Sequence, residues 1–533
     1  MWGSDPMQTR AQPTSEPTGL PSPARQMVVG RGGGATLRWA LAAGGYALLT
    51  LGWVFASPFG AAPDEAAHAV RAAAAGLGQW QGTPAAPYQR TPDRTPAQAD
   101  ILNVQARDFT IPAALVPPDA CFAGHVDRSA ACVNAQAAPA TSGTVTTATY
   151  ETTAPPGVYT IAGVAMQLPL PALPPGYLGR LALAVVSALL LAGAAWAAGA
   201  RGSLWPLAGV ALAATPTVLF LGSSLGAAGI AAAAAVCFST GVLAFWLGPA
   251  RRGLAPLIGV SGAVLALASA GGAVALLALV IAVLPLVQLR RLTEPGAVLA
   301  SAVVTAALVA GLALALDNRQ LPPGQADLGG ALPAALAAAP AVLPQAIGVF
   351  GWSDVTLPLV AYVTWGGLVL AGVSTALLLG RWRDRLVLLL AAAGALGAAT
   401  AAEALVLAPV GWDLRGSFLL PILSALPIVA GFVLHAARLH PRVDVMLVGF
   451  AVVGVQLLAL GENARRYAVG RHGPIDFLGA PQWSPPAGWM PWLIAAAAGG
   501  LLILFALVPL TGRELDEEAS GPLVVIDPIS VSR

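Results

Sequence analysis

Lysine is missing from this sequence, so all 27 basic residues are arginine. Every cation is therefore a planar fork suited to bidentate contact with phosphate or carboxylate. Charge of either sign is scarce, at 10% of residues against roughly a quarter in soluble domains. A net charge of +2 excludes the strongly basic surface of a nucleic-acid binder. Only three cysteines are present. What is abundant is apolar: 57% of 533 residues, with a mean hydropathy of +0.74. Recurrent apolar runs of roughly 20 residues make the chain a polytopic, all-α integral membrane protein. Plentiful Ala, Gly, Pro and Arg also fit a GC-rich genome.

About twelve transmembrane helices are expected, near 37–56, 177–199, 204–222, 225–247, 254–270, 272–289, 296–316, 356–379, 386–408, 417–437, 443–460 and 491–511. The stretch 254–289 is long for one helix and short for two, and Gly271-Gly272 suggests a hairpin there. Residues 1–36, rich in Pro, Ser, Thr and Gly, are expected to be a disordered tail, and 37–511 the membrane domain. Residues 512–533 form an acidic tail. The run 37–56 is too long for a signal-peptide core and reads as a retained first span.

Short connections carry Arg201, Arg251, Arg252, Arg290, Arg291, Arg381, Arg383, Arg385, Arg438 and Arg442, on the same face as Arg10, Arg25, Arg31 and Arg38 of the N-terminal tail. The positive-inside rule makes that face cytoplasmic, with both termini there. The opposite face receives the long loops 57–176, 317–355, 409–416 and 461–490, so chemistry is expected on the extracytoplasmic side. Cys121 and Cys132, with ten residues between them in the first of these loops, can close a disulfide in an oxidising compartment.

The first loop opens with Pro63-Asp64-Glu65-Ala66-Ala67-His68-Ala69-Val70-Arg71, an unusual concentration of ionisable groups for this chain. Proline and two acids suit a helix start, and the alanine-rich continuation predicts a helix over 63–77 near the outer interface. Helical spacing sets Asp64, His68 and Arg71 on one face, with Glu65 beside His68. One account is structural: acids favour a helix start, and Asp64 pairs with His68. The other makes one carboxylate a general base, or has Asp64, Glu65 and His68 hold a divalent metal, Mg or Mn.

Further candidates follow along the chain. Tyr150-Glu151-Thr152-Thr153-Ala154-Pro155-Pro156-Gly157-Val158-Tyr159 leads into a proline-broken apolar stretch expected to re-enter or lie along the interface. Arg180 opens the second span and needs a headgroup, carboxylate or phosphate as partner. Phe350-Gly351-Trp352-Ser353-Asp354, Gly411-Trp412-Asp413-Leu414-Arg415 and the cluster Glu462, Arg465, Arg466, Tyr467, Arg471 and His472 complete the set. Interfacial anchoring and phospholipid contact are the plainer accounts of these. Glu403 is the clearest acid within a span, and the midplane relay of a proton-coupled transporter is absent.

Together, Pro63-Asp64-Glu65-Ala66-Ala67-His68, Pro155-Pro156-Gly157-Val158-Tyr159, Thr215-Pro216-Thr217-Val218-Leu219-Phe220 with Ser223-Ser224, Phe350-Gly351-Trp352 and Arg415-Gly416-Ser417-Phe418 resemble the motifs of a family of predicted bacterial polytopic membrane proteins known only as a domain of unknown function. Two departures stand out: Ser417-Phe418 where the family has Arg-Tyr, and Leu225-Gly226 where it has Asn-Pro. More distantly the layout is similar to the GT-C membrane glycosyltransferases. That resemblance implies an inverting transfer from a polyprenyl-phosphate sugar to a cell-envelope glycan or glycolipid, at the bacterial plasma membrane. It implies Asp64 as base, Glu65 and His68 as orienting groups, and Arg71, Tyr159, Arg180, Trp352, Asp354, Arg415, Arg465 and Arg466 as binding groups for sugar and phosphate. A transporter or flippase of an envelope precursor and a non-catalytic assembly protein are the alternatives.

Overall fold

A computed structural model describes residues 33–86, 94–134, 142–199, 204–248, 251–316, 328–439 and 443–508. Most of the expected N-terminal tail, the C-terminal tail, and Arg10, Arg25, Arg31, Arg201 and Arg442 lie outside the described residues. The first helix, α1 (Gly33–Ala56), begins within the segment expected to be tail.

The first loop is a folded unit. It contains α2 (Glu65–Gly76), β1 (Thr83–Pro84), α3 (Pro96–Gln105), β2 (Arg107–Pro112), β3 (Thr144–Thr149) and α4 (Pro156–Met166). The three strands form an antiparallel sheet in the order β1-β2-β3, with Phe109 opposite Thr147 and Ile111 opposite Val145. Phe109 and Ile111 alternate inward and are buried, while Thr149 Oγ1 donates to the Ala67 carbonyl and ties the sheet to α2. The expected helix is present as α2, mostly buried between this sheet and α4. Its approach to α4 is set by two glycines: a Cβ on Gly163 would lie 1.8 Å from the Ala72 carbonyl oxygen.

The bundle follows with α5 (Pro175–Ala198), the pair α6 (Leu204–Ala213) and α7 (Pro216–Gly222), and α8 (Ala227–Leu247). The expected span 204–222 is bent by 64° where Thr215 caps α7 and Pro216 occupies its first turn. Next come α9 (Leu254–Ala268), α10 (Ala270–Val283) and α11 (Pro295–Ala315). Gly259 lies against Ala300, Gly262 against Val304 and Gly311 against Ala266, so α9 and α11 run parallel and α10 must carry the chain back between them. The break falls at Ser269, whose hydroxyl caps α10, rather than at Gly271-Gly272.

The loop expected over 317–355 instead contains α12 (Leu328–Gly348), long and apolar enough to cross a membrane despite Pro333, Pro340 and Pro344. Neighbouring hydroxyls satisfy its last turn: Thr215 Oγ1 donates to the Ala346 carbonyl and Thr217 Oγ1 to that of Gln345. The hairpin β4 (Val349–Phe350) and β5 (Val355–Thr356) leads to α13 (Leu359–Leu379), α14 (Trp382–Ala402), α15 (Gly416–Leu423), α16 (Ala425–Ala436), α17 (Val443–Val469) and α18 (Met490–Leu507). Among the described residues ten helices pass the length and apolarity needed to span, and the bent pair makes an eleventh. The two halves of 254–289, expected as spans, are shorter apolar helices.

Candidate active site

The adjacent acids Asp64 and Glu65 have opposite fates. Glu65 is fully buried and accepts four hydrogen bonds: from Arg180 Nε (2.7 Å) and Nη2 (2.5 Å), and from the backbone N–H groups of Gly60 (2.8 Å) and Leu225 (2.9 Å). Arg180 also donates to the carbonyls of Val54, Ser57 and Pro58, which engages all five of its N–H groups. Its guanidinium lies between the rings of Phe59 and Tyr177. Glu65, expected as a catalytic or metal-ligating group, and Arg180, expected as a phosphate receptor, are engaged with each other in an internal ion pair in this structure. Among the described residues no three His, Cys, Asp or Glu side chains converge as a metal site requires, and Glu65 is turned away from Asp64 and His68. The donor set does not fit the Mg or Mn considered from the sequence.

Asp64 stands on the accessible side. Its backbone is left-handed (φ 59°, ψ 12°), it makes no capping hydrogen bond, and its Oδ1 accepts from the Tyr150 hydroxyl at 2.6 Å. One turn on, His68 Nδ1 lies 2.9 Å from the Tyr159 hydroxyl and 3.6 Å from Glu151 Oε2. Arg71 follows on the same face, buried over the rings of Phe109 and Tyr159. The expected face of Asp64, His68 and Arg71 thus exists, and Tyr159 joins it from α4. The other edge of the His68 ring faces Gly226 at the head of α8. Burial raises the Glu151 carboxyl above its ordinary range; His68 opposes that shift and Asp64 adds to it. Burial likewise raises the Tyr150 hydroxyl, helped by Asp64, so it remains a hydrogen-bond donor.

Tyr150 and Glu151 had no assigned role in the sequence. Their signal was position alone, just ahead of the double proline that turns the chain into α4. Tyr150 also packs with Trp412 on a small cluster of Ile101, Leu102 and Val410, and Arg94 lies over its ring. Thr95 and Gln98 donate to the Val410 and Gly411 carbonyls, so the loop ending at Arg415 leans on this side of the site. Arg415 is exposed.

The remaining candidates make contacts within the protein. Arg466, 1% exposed, donates to Asp354 Oδ2 at 2.9 Å and to the carbonyls of Phe122, His125 and Arg128. Those carbonyls belong to the ring closed by the Cys121–Cys132 disulfide. Arg466 and Asp354 thus hold this ring to the end of α17. Trp352, partly exposed, donates from its indole to the Gly60 carbonyl, and Arg465 pairs with Glu462 at 2.6 Å. A cleft of about 710 Å³ is walled by Phe59, Leu115, Met166, Tyr177 and Trp483 and includes none of Asp64, His68 or Tyr150.

A family model described as "Predicted membrane protein (DUF2142)" matches residues 47–426, which takes in the whole Asp64 face and its partners. This chain belongs to that family. No curated protein matches it. Among solved structures it is similar to ArnT from Cupriavidus metallidurans bound to undecaprenyl phosphate, at 17% identity and a TM-score of 0.35, over 69% of this chain and 67% of that one. The apo form of the same protein gives 18% identity and a TM-score of 0.34 over the same shares.

Proposed function

We propose that this member of the DUF2142 family is a GT-C-like membrane glycosyltransferase. It moves a sugar from a polyprenyl-phosphate donor to an envelope glycan or glycolipid on the extracytoplasmic side of a bacterial plasma membrane. The observation that supports this reading is the state of Asp64: a half-buried carboxylate, oriented through one oxygen by Tyr150, with its other oxygen uncommitted among the described residues.

In this reading Asp64 Oδ2 takes the proton of the acceptor hydroxyl as that oxygen attacks the anomeric carbon. The bond from that carbon to the phosphate oxygen breaks, the configuration inverts, and the lipid leaves as a phosphomonoester carrying one more negative charge. The proton on Asp64 passes to water. Base assistance of this kind contributes on the order of 10²–10⁴-fold. With Arg180 and Arg466 engaged internally, the exposed Arg415 is the cation we assign to the departing phosphate, and fixed cations facing developing charge are a large part of such catalysis.

The test is transfer by purified protein from a panel of polyprenyl-phosphate sugars, in parallel with Asp64→Asn. Wild-type transfer abolished in the variant, with donor binding retained, supports the proposal. Full transfer by Asp64→Asn removes the base. Movement of a precursor across liposomes without transfer assigns the protein to transport instead.

A further inference from the structure

Asp64 occupies left-handed backbone, which among side-chain-bearing residues only Asp and Asn adopt at all readily and which would strain an alanine. An ordinary helix start places its capping residue in extended backbone with the side chain folded back onto the first turn. Here the backbone is left-handed and the side chain reaches outward to Tyr150.

The constraint comes from both sides of the residue. Before it, Gly60 N–H binds Glu65 Oε2 and closes a six-residue turn around that carboxylate, while Ala61 N–H binds the Pro58 carbonyl. Arg180 grips the carbonyls of Val54, Ser57 and Pro58, and Asn463 holds Ala56 and Ser57 from α17. After it, Glu65 is fixed by Arg180 and by Leu225 N–H. Asp64 is the link between two anchored ends.

We infer that Glu65 and Arg180 are positioning residues for Asp64: their ion pair holds the 60–65 turn so that residue 64 must be left-handed and its carboxylate meets Tyr150. This rests on the proposed role of Asp64 as base, and it adds that the neighbouring acid acts through geometry and never meets substrate.

The experiment compares Asp64→Gly with Asp64→Ala in the full chain. Both lose the carboxylate, but only glycine is at ease in left-handed backbone. Asp64→Gly should melt about 2 °C or more above Asp64→Ala. In backgrounds carrying Glu65→Gln or Arg180→Lys the gap should shrink by at least about half, as coupled sites require. With Asp64 present, Glu65→Gln should lower kcat by about 100-fold with KM nearly unchanged, the cost of a misplaced reacting group. Arg180→Lys keeps the charge and serves where Glu65→Gln fails to fold. A missing Gly–Ala gap, or one that neither background alters, overturns the inference while leaving Asp64 as base. Transfer surviving Asp64→Asn does the reverse: it removes the base and leaves the backbone coupling standing.

Discussion

The Tyr150 hydroxyl donates to Asp64 Oδ1 at 2.6 Å across 86 residues of sequence, and with the Thr149–Ala67 hydrogen bond it joins the end of the small sheet to the start of α2. Tyr150→Phe removes the donor without changing the ring's packing against Trp412. A hydrogen bond to a charged group is worth about 1.5–3 kcal/mol, less where it is partly solvated. The variant should keep its fold and lose roughly tenfold in transfer rate; unchanged turnover would detach Tyr150 from the chemistry.

Glu151 gives a pH dependence of definite sign. Its carboxyl is raised above the ordinary value of 4.5, chiefly by burial, so the folded state holds its proton where the unfolded chain has released it. Its contribution to stability is therefore full below that ordinary value and declines as pH rises through the folded value. Glu151→Gln should flatten this part of the Tm-versus-pH curve and raise Tm at neutral pH. A curve that keeps its slope in the variant would place the titrating group elsewhere.

Gly163→Ala tests the α2–α4 crossing. The new methyl would collide with the Ala72 carbonyl oxygen, so one helix must move, at about 1–3 kcal/mol for overpacking of this kind. Because Tyr159 lies on α4 and His68 on α2, the shift should also separate that pair. Lower Tm together with reduced transfer is expected, whereas Gly157→Ala, with open space around it, should be silent.

Two arginines expected to bind phosphate should part company on substitution. Arg466→Gln breaks a buried ion pair, which costs about 3–5 kcal/mol, and frees the disulfide ring for proteolysis. Arg415→Ala removes an exposed side chain and should leave Tm unchanged while weakening binding of a lipid phosphate. Replacing both Cys121 and Cys132 with serine should cost about 3 kcal/mol for a loop of this length, on the chain-entropy account.

Much of this was legible in the sequence. Helical spacing placed Asp64, His68 and Arg71 on one face, and the segment ending in Tyr159 carried the group that meets His68. Spacing could not say which of two adjacent acids faces inward, because the partner that decides it, Arg180, lies 115 residues further on. Arg180 needed a carboxylate, headgroup or phosphate, and depth alone did not choose. The helix Leu328–Gly348 was hidden by its prolines, which read as loop until Thr215 and Thr217 are known to satisfy its last turn. Trp412 and Tyr150 showed no mutual pattern in the chain; only the docking of α3 on the 410–411 carbonyls brings them together.

The two internal ion pairs also bear on how the protein is made. Glu65 waits for an arginine 115 residues later, and Asp354 for one 112 residues later, near the end of α17. During synthesis the first acid therefore emerges without its counterion, and the disulfide ring has no dock until the penultimate span has been delivered. A ribosome stalled before that helix would leave a product with most of its helices and an undocked disulfide ring, a natural substrate for membrane quality control.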